Sequence, residues 1–196
     1  TEILVEEVLK ELHDGMRVLD MCTGSGCILL SLLHYSNDCE GLGVDLSAEA
    51  LEVAGRNVLK VLTPEKAEHA HFLQSDLFEK VEGKFEIIVS NPPYIASAEV
   101  EKLMPEVRDH EPRMALDGTE DGLYFYRRII EEAGKHLVSS GMLFFEIGYD
   151  QGQAVSELMR TEGYCEVQVV QDYAGLDRVV FGTYVTVQPA PFAKSR

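Results

Sequence analysis

Apolar residues at Ile3-Leu4-Val5, Val8-Leu9 and Leu12 recur at helical spacing, which predicts an amphipathic helix ending near Asp14-Gly15, with Thr1 placed as its N-cap. The period then shortens. Met16 to Met21 (MRVLDM) reads as a buried strand, Ser25 to Tyr35 as a helix, and Gly41 to Asp45 as a second strand. Ser47 stands where it caps a helix from Ala48 to Leu62, and short strands follow at His69 to Gln74 and Lys84 to Ser90. From Asn91 to Thr119, about 29 residues with four prolines carry no sustained period, and a loop that long inside a compact domain is usually functional or mobile. Glu120 to Val138 reads as a helix, Gly141 to Ile147 as a buried strand, and Gln151 to Glu162 as a helix ended by Gly163. Two β-rich runs close the pattern, Cys165 to Gln171 and Val179 to Val187. With no helix between them they form an antiparallel hairpin on a sheet edge. Gln188 to Arg196 reads as a flexible tail.

This alternation predicts an α/β fold: a doubly wound, mainly parallel seven-stranded sheet with a C-terminal antiparallel hairpin. The length of 196 residues favours a single domain. In such sheets ligands bind beyond the carboxyl ends of the strands, beside the first strand. The chemistry is therefore expected at strand ends.

Composition narrows the classes. Lys and Arg number 17 against 34 Asp and Glu, a formal charge of −17, which argues against a free-standing nucleic-acid binder because phosphate neutralisation needs clustered cations. No apolar run is long enough for a membrane span, and nothing resembles a signal peptide. Cys22, Cys27, Cys39 and Cys165 form no CxxC pair and no zinc pattern, so no metal site is expected and reduced thiols in a cytoplasmic protein are the plain reading.

Four strand ends carry the candidate chemistry. The first runs Asp20-Met21-Cys22-Thr23-Gly24-Ser25-Gly26-Cys27, whose glycines permit a tight strand-to-helix turn and close approach of a ligand. With Leu at position 29 it departs from the dinucleotide fingerprint, and a merely tight turn remains open. The second ends in Asp45, placed to accept from a ribose diol or to cap the next helix. The third ends in Ser75-Asp76-Leu77-Phe78. There Asp76 suits the exocyclic amine of an adenine covered by Leu77, or simply forms a turn. The fourth, Ser90-Asn91-Pro92-Pro93-Tyr94, is the most specific: two prolines hold φ near −65° and fix the carbonyls of Asn91 and Pro92. Asn91 adds an amide oxygen and Tyr94 a flat ring, so the cluster recognises a planar –NH2 group.

Together these segments resemble a class I (Rossmann-like) S-adenosyl-L-methionine-dependent methyltransferase acting on amino groups. Further stretches narrow the likeness: Thr1-Glu2-x-Leu4-Val5-Glu6, Ile88-Val89-Ser90-Asn91-Pro92-Pro93-Tyr94-Ile95, Glu111-Pro112, Ala115-Leu116, Asp121-Gly122-Leu123, Tyr126-Arg127, Glu146-Ile147-Gly148 and Asp177-Arg178-Val179-Val180. From Thr1 to about Val185 the chain is similar to the PrmC (HemK) family, the peptide chain release factor N5-glutamine methyltransferases. The resemblance implies cofactor contacts at Thr23, Gly24, Ser25, Gly26, Asp45, Leu77 and Asn91, with Asp76 as adenine partner. It implies that Asn91, Pro92, Pro93 and Tyr94 hold the acceptor glutamine, Asn91, Pro92 and Tyr94 being the catalytic group. The cofactor is then S-adenosyl-L-methionine, converted to S-adenosyl-L-homocysteine. The partner is a class I release factor, with no direct nucleic acid, no membrane, and a monomer as the expected state. Residues 1–187 would be the catalytic domain, without the small N-terminal helical domain of the family.

Other readings stay open. A ribosomal-protein glutamine methyltransferase shares the Asn-Pro-Pro-Tyr logic, and an adenine-N6 methyltransferase meets the same planar amine. Where the family usually has Gly the chain has Cys22, expected to keep the turn if its φ is negative, and read as a small buried side chain before a reactive thiol. His110, Glu146 and the arginines Arg108, Arg113, Arg127 and Arg128 have plain readings as solvated or turn-forming residues beside substrate-contact ones. Tyr124-Phe125-Tyr126 reads as helix packing.

Overall fold

In the computed structural model, which describes residues 1–104 and 112–185, strand and helix alternate as the apolar pattern predicts. Strands β1 (Arg17–Met21), β2 (Glu40–Asp45), β3 (Ala70–Gln74), β4 (Phe85–Ser90), β5 (Leu137–Glu146), β6 (Tyr164–Gln171) and β7 (Asp177–Tyr184) form one sheet, in the order β3-β2-β1-β4-β5-β7-β6. Every pair from β3 across to β5 is parallel; β7 runs antiparallel to both β5 and β6, so the terminal hairpin closes one edge with β6 outermost. Helices α1 (Glu2–Glu11), α2 (Cys27–Tyr35) and α3 (Ala48–Val61) precede β3, with a single turn α4 (Pro64–Ala67) after α3. Among its described residues the long proline-rich connection carries two further single turns, α5 (Ser97–Val100) and α6 (Arg113–Leu116), before α7 (Tyr124–Ala133) and α8 (Gly152–Thr161). Arg108, His110, Glu111 and the tail from residue 188 lie outside the described residues.

The period-two alternation of the strands sorts their side chains into two cores. Leu19 and Met21 of β1 and Leu143 and Phe145 of β5 pack with Tyr126, Ile129 and Ile130 of α7 and Val155 of α8. Val18 and Phe144 point the other way, onto Leu4 and Val8 of α1 and Leu29 and Leu32 of α2. Helices thus cover both faces, which buries the central strands on both sides and explains why they read as continuous apolar runs.

Three boundaries differ from the pattern. The helix expected from Ser25 begins at Cys27, because Gly26 sits at φ 79° as its N-cap and bends the chain into the helix. The helix expected over 120–138 spans only Tyr124–Ala133. At its start Asp121 Oδ1 accepts from the Leu123 N–H (3.0 Å) and forms a turn instead. At its end, Leu137 pairs with Phe85 as the first residue of β5, which passes through Ser140 at φ 64° before the strand proper. The stretch 91–119 is not structureless where described: Ile95 and Asp117 form a parallel bridge that ties its two ends together.

Candidate active site

The carboxyl ends of β1 to β4 open on one cavity of ≈ 690 Å³. Its walls come from Met21 and Cys22 after β1, Asp45 and Leu46 after β2, Asp76 and Leu77 after β3, and Asn91 and Pro93 after β4. Four segments singled out separately in the sequence therefore meet at one place, the switch point beside β1.

The turn after β1 is built from alternating left-handed residues: Cys22 (φ 60°), Gly24 (φ 55°) and Gly26 (φ 79°). A side chain at Gly26 would be strained by the left-handed φ and crowded, since a Cβ would lie 3.1 Å from that of Ala54 in α3. The Cys22 angle corrects the expectation of a negative φ: the residue occupies the conformation for which Gly is preferred, and holds it at a cost of about 1 kcal/mol. Burial, helped by the nearby Asp45 carboxylate, pushes the Cys22 thiol up to about 12, so the thiolate needed for reactivity is not formed near neutral pH. Leu77 is likewise left-handed (φ 46°) and buried against the cavity. Two strained non-glycine residues thus flank one cleft, as is common at functional sites.

Under the turn lies Asp20, fully buried. Its Oδ2 accepts from the Thr23 hydroxyl (2.6 Å) and from the Leu29 N–H of α2 (3.2 Å), whereas Oδ1 has no hydrogen-bond partner among the described residues. Burial outweighs those two bonds and raises its carboxyl to about 7. Asp45 bridges the first two strand ends: Oδ2 accepts from Gly24 N–H (2.8 Å) and Oδ1 from Ser47 N–H (2.9 Å). The α3 N-cap is Ser47, whose hydroxyl accepts from Ala50 N–H (3.1 Å), so Asp45 is left at the cavity wall rather than spent on the cap. Asp76 also faces the cavity, with Oδ1 paired to Arg128 of α7 at 2.9 Å.

The Asn91-Pro92-Pro93-Tyr94 segment leaves β4 just after Ser90, whose buried hydroxyl donates to the Met21 carbonyl (2.6 Å) and locks the ends of β4 and β1 together. Pro92 and Pro93 are buried, and Tyr94 is half-buried with its hydroxyl pushed up by that burial. Behind the segment the Gly118–Gly122 turn approaches closely. Gly122 lies at φ 72°, and a Cβ there would overlap the Tyr94 carbonyl oxygen.

Not every residue singled out reaches the cavity wall. Gly24, Asp45, Asp76, Leu77, Asn91 and Pro93 do. Thr23 turns its hydroxyl inward to Asp20; Ser25 is exposed, and Gly26, Pro92 and Tyr94 stand behind the lining residues. Of the arginines, Arg113 reaches the cavity wall while pairing with Glu101 (2.8 Å), whereas Arg127 pairs with Asp121 (2.8 Å) and Arg128 with Asp76. Within Tyr124-Phe125-Tyr126, only Tyr126 is core, while Phe125 reaches the cavity and Tyr124 is exposed. Glu146 is buried at the end of β5, away from the cavity wall. Sequence reasoning assigned no role to Ser90, Leu46, Gly122 or Gln151. Only the Ser90-Asn91 junction carried a usable signal, a polar residue closing an otherwise apolar strand.

Known proteins share this arrangement. The methyltransferase small domain family matches residues 1–107. A release factor glutamine methyltransferase of Thermodesulfovibrio yellowstonii is 44% identical over 185 residues, which cover 92% of this chain and 65% of that protein. The chain therefore spans just under two thirds of the length of that curated relative. A solved protein-(glutamine-N5) methyltransferase (release factor-specific) from Alicyclobacillus acidocaldarius is similar with a TM-score of 0.54 at 28% identity, covering 94% of this chain and 91% of that one. A methyltransferase structure from Pyrococcus furiosus reaches a TM-score of 0.67 at 17% identity over 94% of this chain and 84% of that one, a likeness of fold alone.

Proposed function

Because this chain belongs to the methyltransferase small domain family, we propose that it transfers a methyl group from S-adenosyl-L-methionine to the side-chain amide nitrogen of the glutamine in the Gly-Gly-Gln loop of class I release factors. One observation carries this reading above the others: an acidic strand end (Asp45), an apolar shelf (Leu77) and Asn91 and Pro93 of the rigid acceptor corner line a single cavity. The 44% identity to a protein named for that activity supports the choice of substrate.

The residues present fit the cofactor. Apolar side chains of Val44, Leu46, Leu77 and Phe125 offer surface for a purine, the Asp45 carboxylate keeps lone pairs free for a diol, and Asp76 keeps its Oδ2 beside Leu77. Thr23, Gly24, Ser25 and Gly26 shape the turn against which the amino-acid end would lie. When bound, S-adenosyl-L-methionine supplies a sulfonium-activated methyl group, so no covalent enzyme intermediate is required.

An amide nitrogen is a poor nucleophile, its lone pair being delocalised into the carbonyl. The task of the protein is therefore orientation. The Asn91 Oδ1 and the Pro92 carbonyl accept the two N–H hydrogens of the glutamine, which aims the nitrogen lone pair at the donor methyl. Tyr94 supplies a flat surface for the amide plane. This is catalysis by positioning and preorganised acceptors. With the donor held at this wall, the chemistry it would supply is a methyl whose transfer to nitrogen would leave sulfur the bonding pair as the thioether of S-adenosyl-L-homocysteine, and the nitrogen would give its surplus proton to solvent.

Methyl transfer from tritiated S-adenosyl-L-methionine onto purified release factor, its Gln-substituted variant, ribosomal protein and an oligonucleotide tests the reading. Label on the Gln-bearing release factor alone is expected. Label on a ribosomal protein or on the oligonucleotide would replace the substrate. The formal charge of −17 suits a basic, RNA-facing protein partner drawn in by electrostatic steering, so kcat/KM should fall as salt rises; a salt-independent rate removes that part.

A further inference from the structure

Gln151 sits at the N-cap of α8, where its side chain makes no capping bond to that helix. It turns instead toward the acceptor corner. Its Nε2 donates to the Tyr94 carbonyl (3.0 Å) and to the Gly122 carbonyl (3.3 Å). Its Oε1 accepts from the Gly148 N–H (2.9 Å) and from the Tyr126 hydroxyl (3.4 Å), which also donates to the Glu146 carbonyl (2.9 Å). A carboxamide has two donor hydrogens and two acceptor lone pairs; here three of the four positions are filled, and the fourth only shares the single Tyr126 hydrogen, which lies closer to the Glu146 carbonyl.

What this bracket holds matters because of what the corner lacks. Pro92 and Pro93 have no N–H, so the backbone from Asn91 to Tyr94 can anchor itself through few donors of its own. It is secured upstream by the Ser90 hydroxyl on the Met21 carbonyl, and downstream at the Tyr94–Ile95 peptide, whose N–H donates to the Leu116 carbonyl (3.0 Å) and whose carbonyl accepts from Gln151. Between those anchors the two prolines fix two of the φ angles, so fewer torsions are left through which the Asn91 and Pro92 carbonyls can turn once Tyr94 is held. Gly122 completes the clamp: its left-handed backbone lets its own carbonyl share the same Nε2 while leaving the Tyr94 oxygen unobstructed.

We infer that Gln151 is a positioning residue for the methyl acceptor: by pinning the Tyr94 carbonyl it sets the direction of the Asn91 and Pro92 acceptors, although it does not line the cavity. The inference rests on the reading of Asn91–Tyr94 as the acceptor corner. It differs from that reading in requiring a residue of α8, on the far side of the segment, to govern turnover.

The test compares Gln151→Glu and Gln151→Met with the wild type in methyl transfer to release factor. Both variants preserve side-chain length, and both remove the donors that face the two carbonyls. Rates are expressed per cofactor-binding site, titrated calorimetrically, so that any unfolded fraction does not count. A displacement of about 1 Å at a reacting group costs on the order of 10²-fold, so kcat should fall by roughly 10- to 100-fold, with the KM for S-adenosyl-L-methionine within about twofold of wild type. Wild-type kcat per site in either variant overturns the inference, as does a loss carried by cofactor KM with kcat preserved. Absence of transfer by the wild type itself would instead count against the proposed function, so the two failures are distinguishable.

Discussion

The buried carboxyl of Asp20 makes a prediction whose sign and size follow from its surroundings. Only its Oδ2 is hydrogen-bonded among the described residues, and burial raises its pKa from 3.8 to about 7. The folded state therefore binds a proton that the unfolded chain has already released. Stability from this group is full below the unfolded value, declines as pH rises from about 4 to about 7, and is flat above, a total loss of about 4 kcal/mol to order of magnitude. Asp20→Asn abolishes the titration while keeping an oxygen for Thr23 and Leu29. Its amide nitrogen would take the place of the unpartnered Oδ1, a pH-independent penalty of about 1–3 kcal/mol. The absolute stabilities are thus not the test; their difference across pH is. Between about pH 5.5 and about pH 8.5 the variant should gain about 2 kcal/mol on the wild type. Asp117, Asp121 and Asp172, whose pKa values are lowered chiefly by hydrogen bonds from Ser97, Arg127 and the Leu176 N–H, lose stability at lower pH instead. They do so equally in both proteins and cancel. Urea unfolding of the two proteins at the two pH values provides the measurement. A stability difference that stays constant with pH would falsify the assignment of a near-neutral pKa to Asp20.

Gly122→Ala should destabilise by about 2–4 kcal/mol, because a left-handed alanine costs about 1–2 kcal/mol and its methyl overlaps the Tyr94 carbonyl, which cannot retreat from Gln151; urea unfolding with less than half that cost would show the turn to be free to move. Cys22→Gly should be neutral or stabilising by up to about 1 kcal/mol, or roughly 2–4 °C in Tm by calorimetry, since relief of the left-handed angle competes with loss of a small side chain. The same thiol, held up near 12, should resist alkylation of the native protein at about pH 8 while the exposed Cys165 reacts, as peptide mapping would reveal. Asn91→Ala should reduce turnover by at least about 10²-fold with an unchanged far-ultraviolet spectrum; a wild-type rate would remove the acceptor role.

The order of elements was legible because burial on two faces leaves a simple trace. Strands such as Phe85–Ser90 carry a run of apolar residues (Ile87, Ile88 and Val89), and α1, α3 and α7 repeat their apolar residues at helical spacing. Boundaries were legible only where a side chain makes them, as Ser47 does for α3. The overlong helix at 120–138 shows the limit. Leu137 fits the apolar period of the helix equally well, but pairing with Phe85 across the sheet claims it for β5, and no local signal encodes a partner some fifty residues away.

For the site, the legible part is the part at strand ends. Asp45, Asp76 and Asn91 each close a strand, and topology alone brings such positions to one edge. What stayed hidden is what supports them. Cys22 at φ 60° contradicts local preference and is tolerated because Val44 accepts from Thr23 N–H and Asp45 from Gly24 N–H, both bonds arriving from β2. Gln151 begins a helix in the sequence, and nothing adjacent to it hints that its amide closes on a carbonyl 57 residues upstream. Supports of this kind all involve a backbone N–H or carbonyl, and a backbone group is the same at nearly every position of the chain. Local reading of a sequence can therefore find the groups that touch a ligand, which differ in chemistry, more readily than the groups that aim them, which differ only in place.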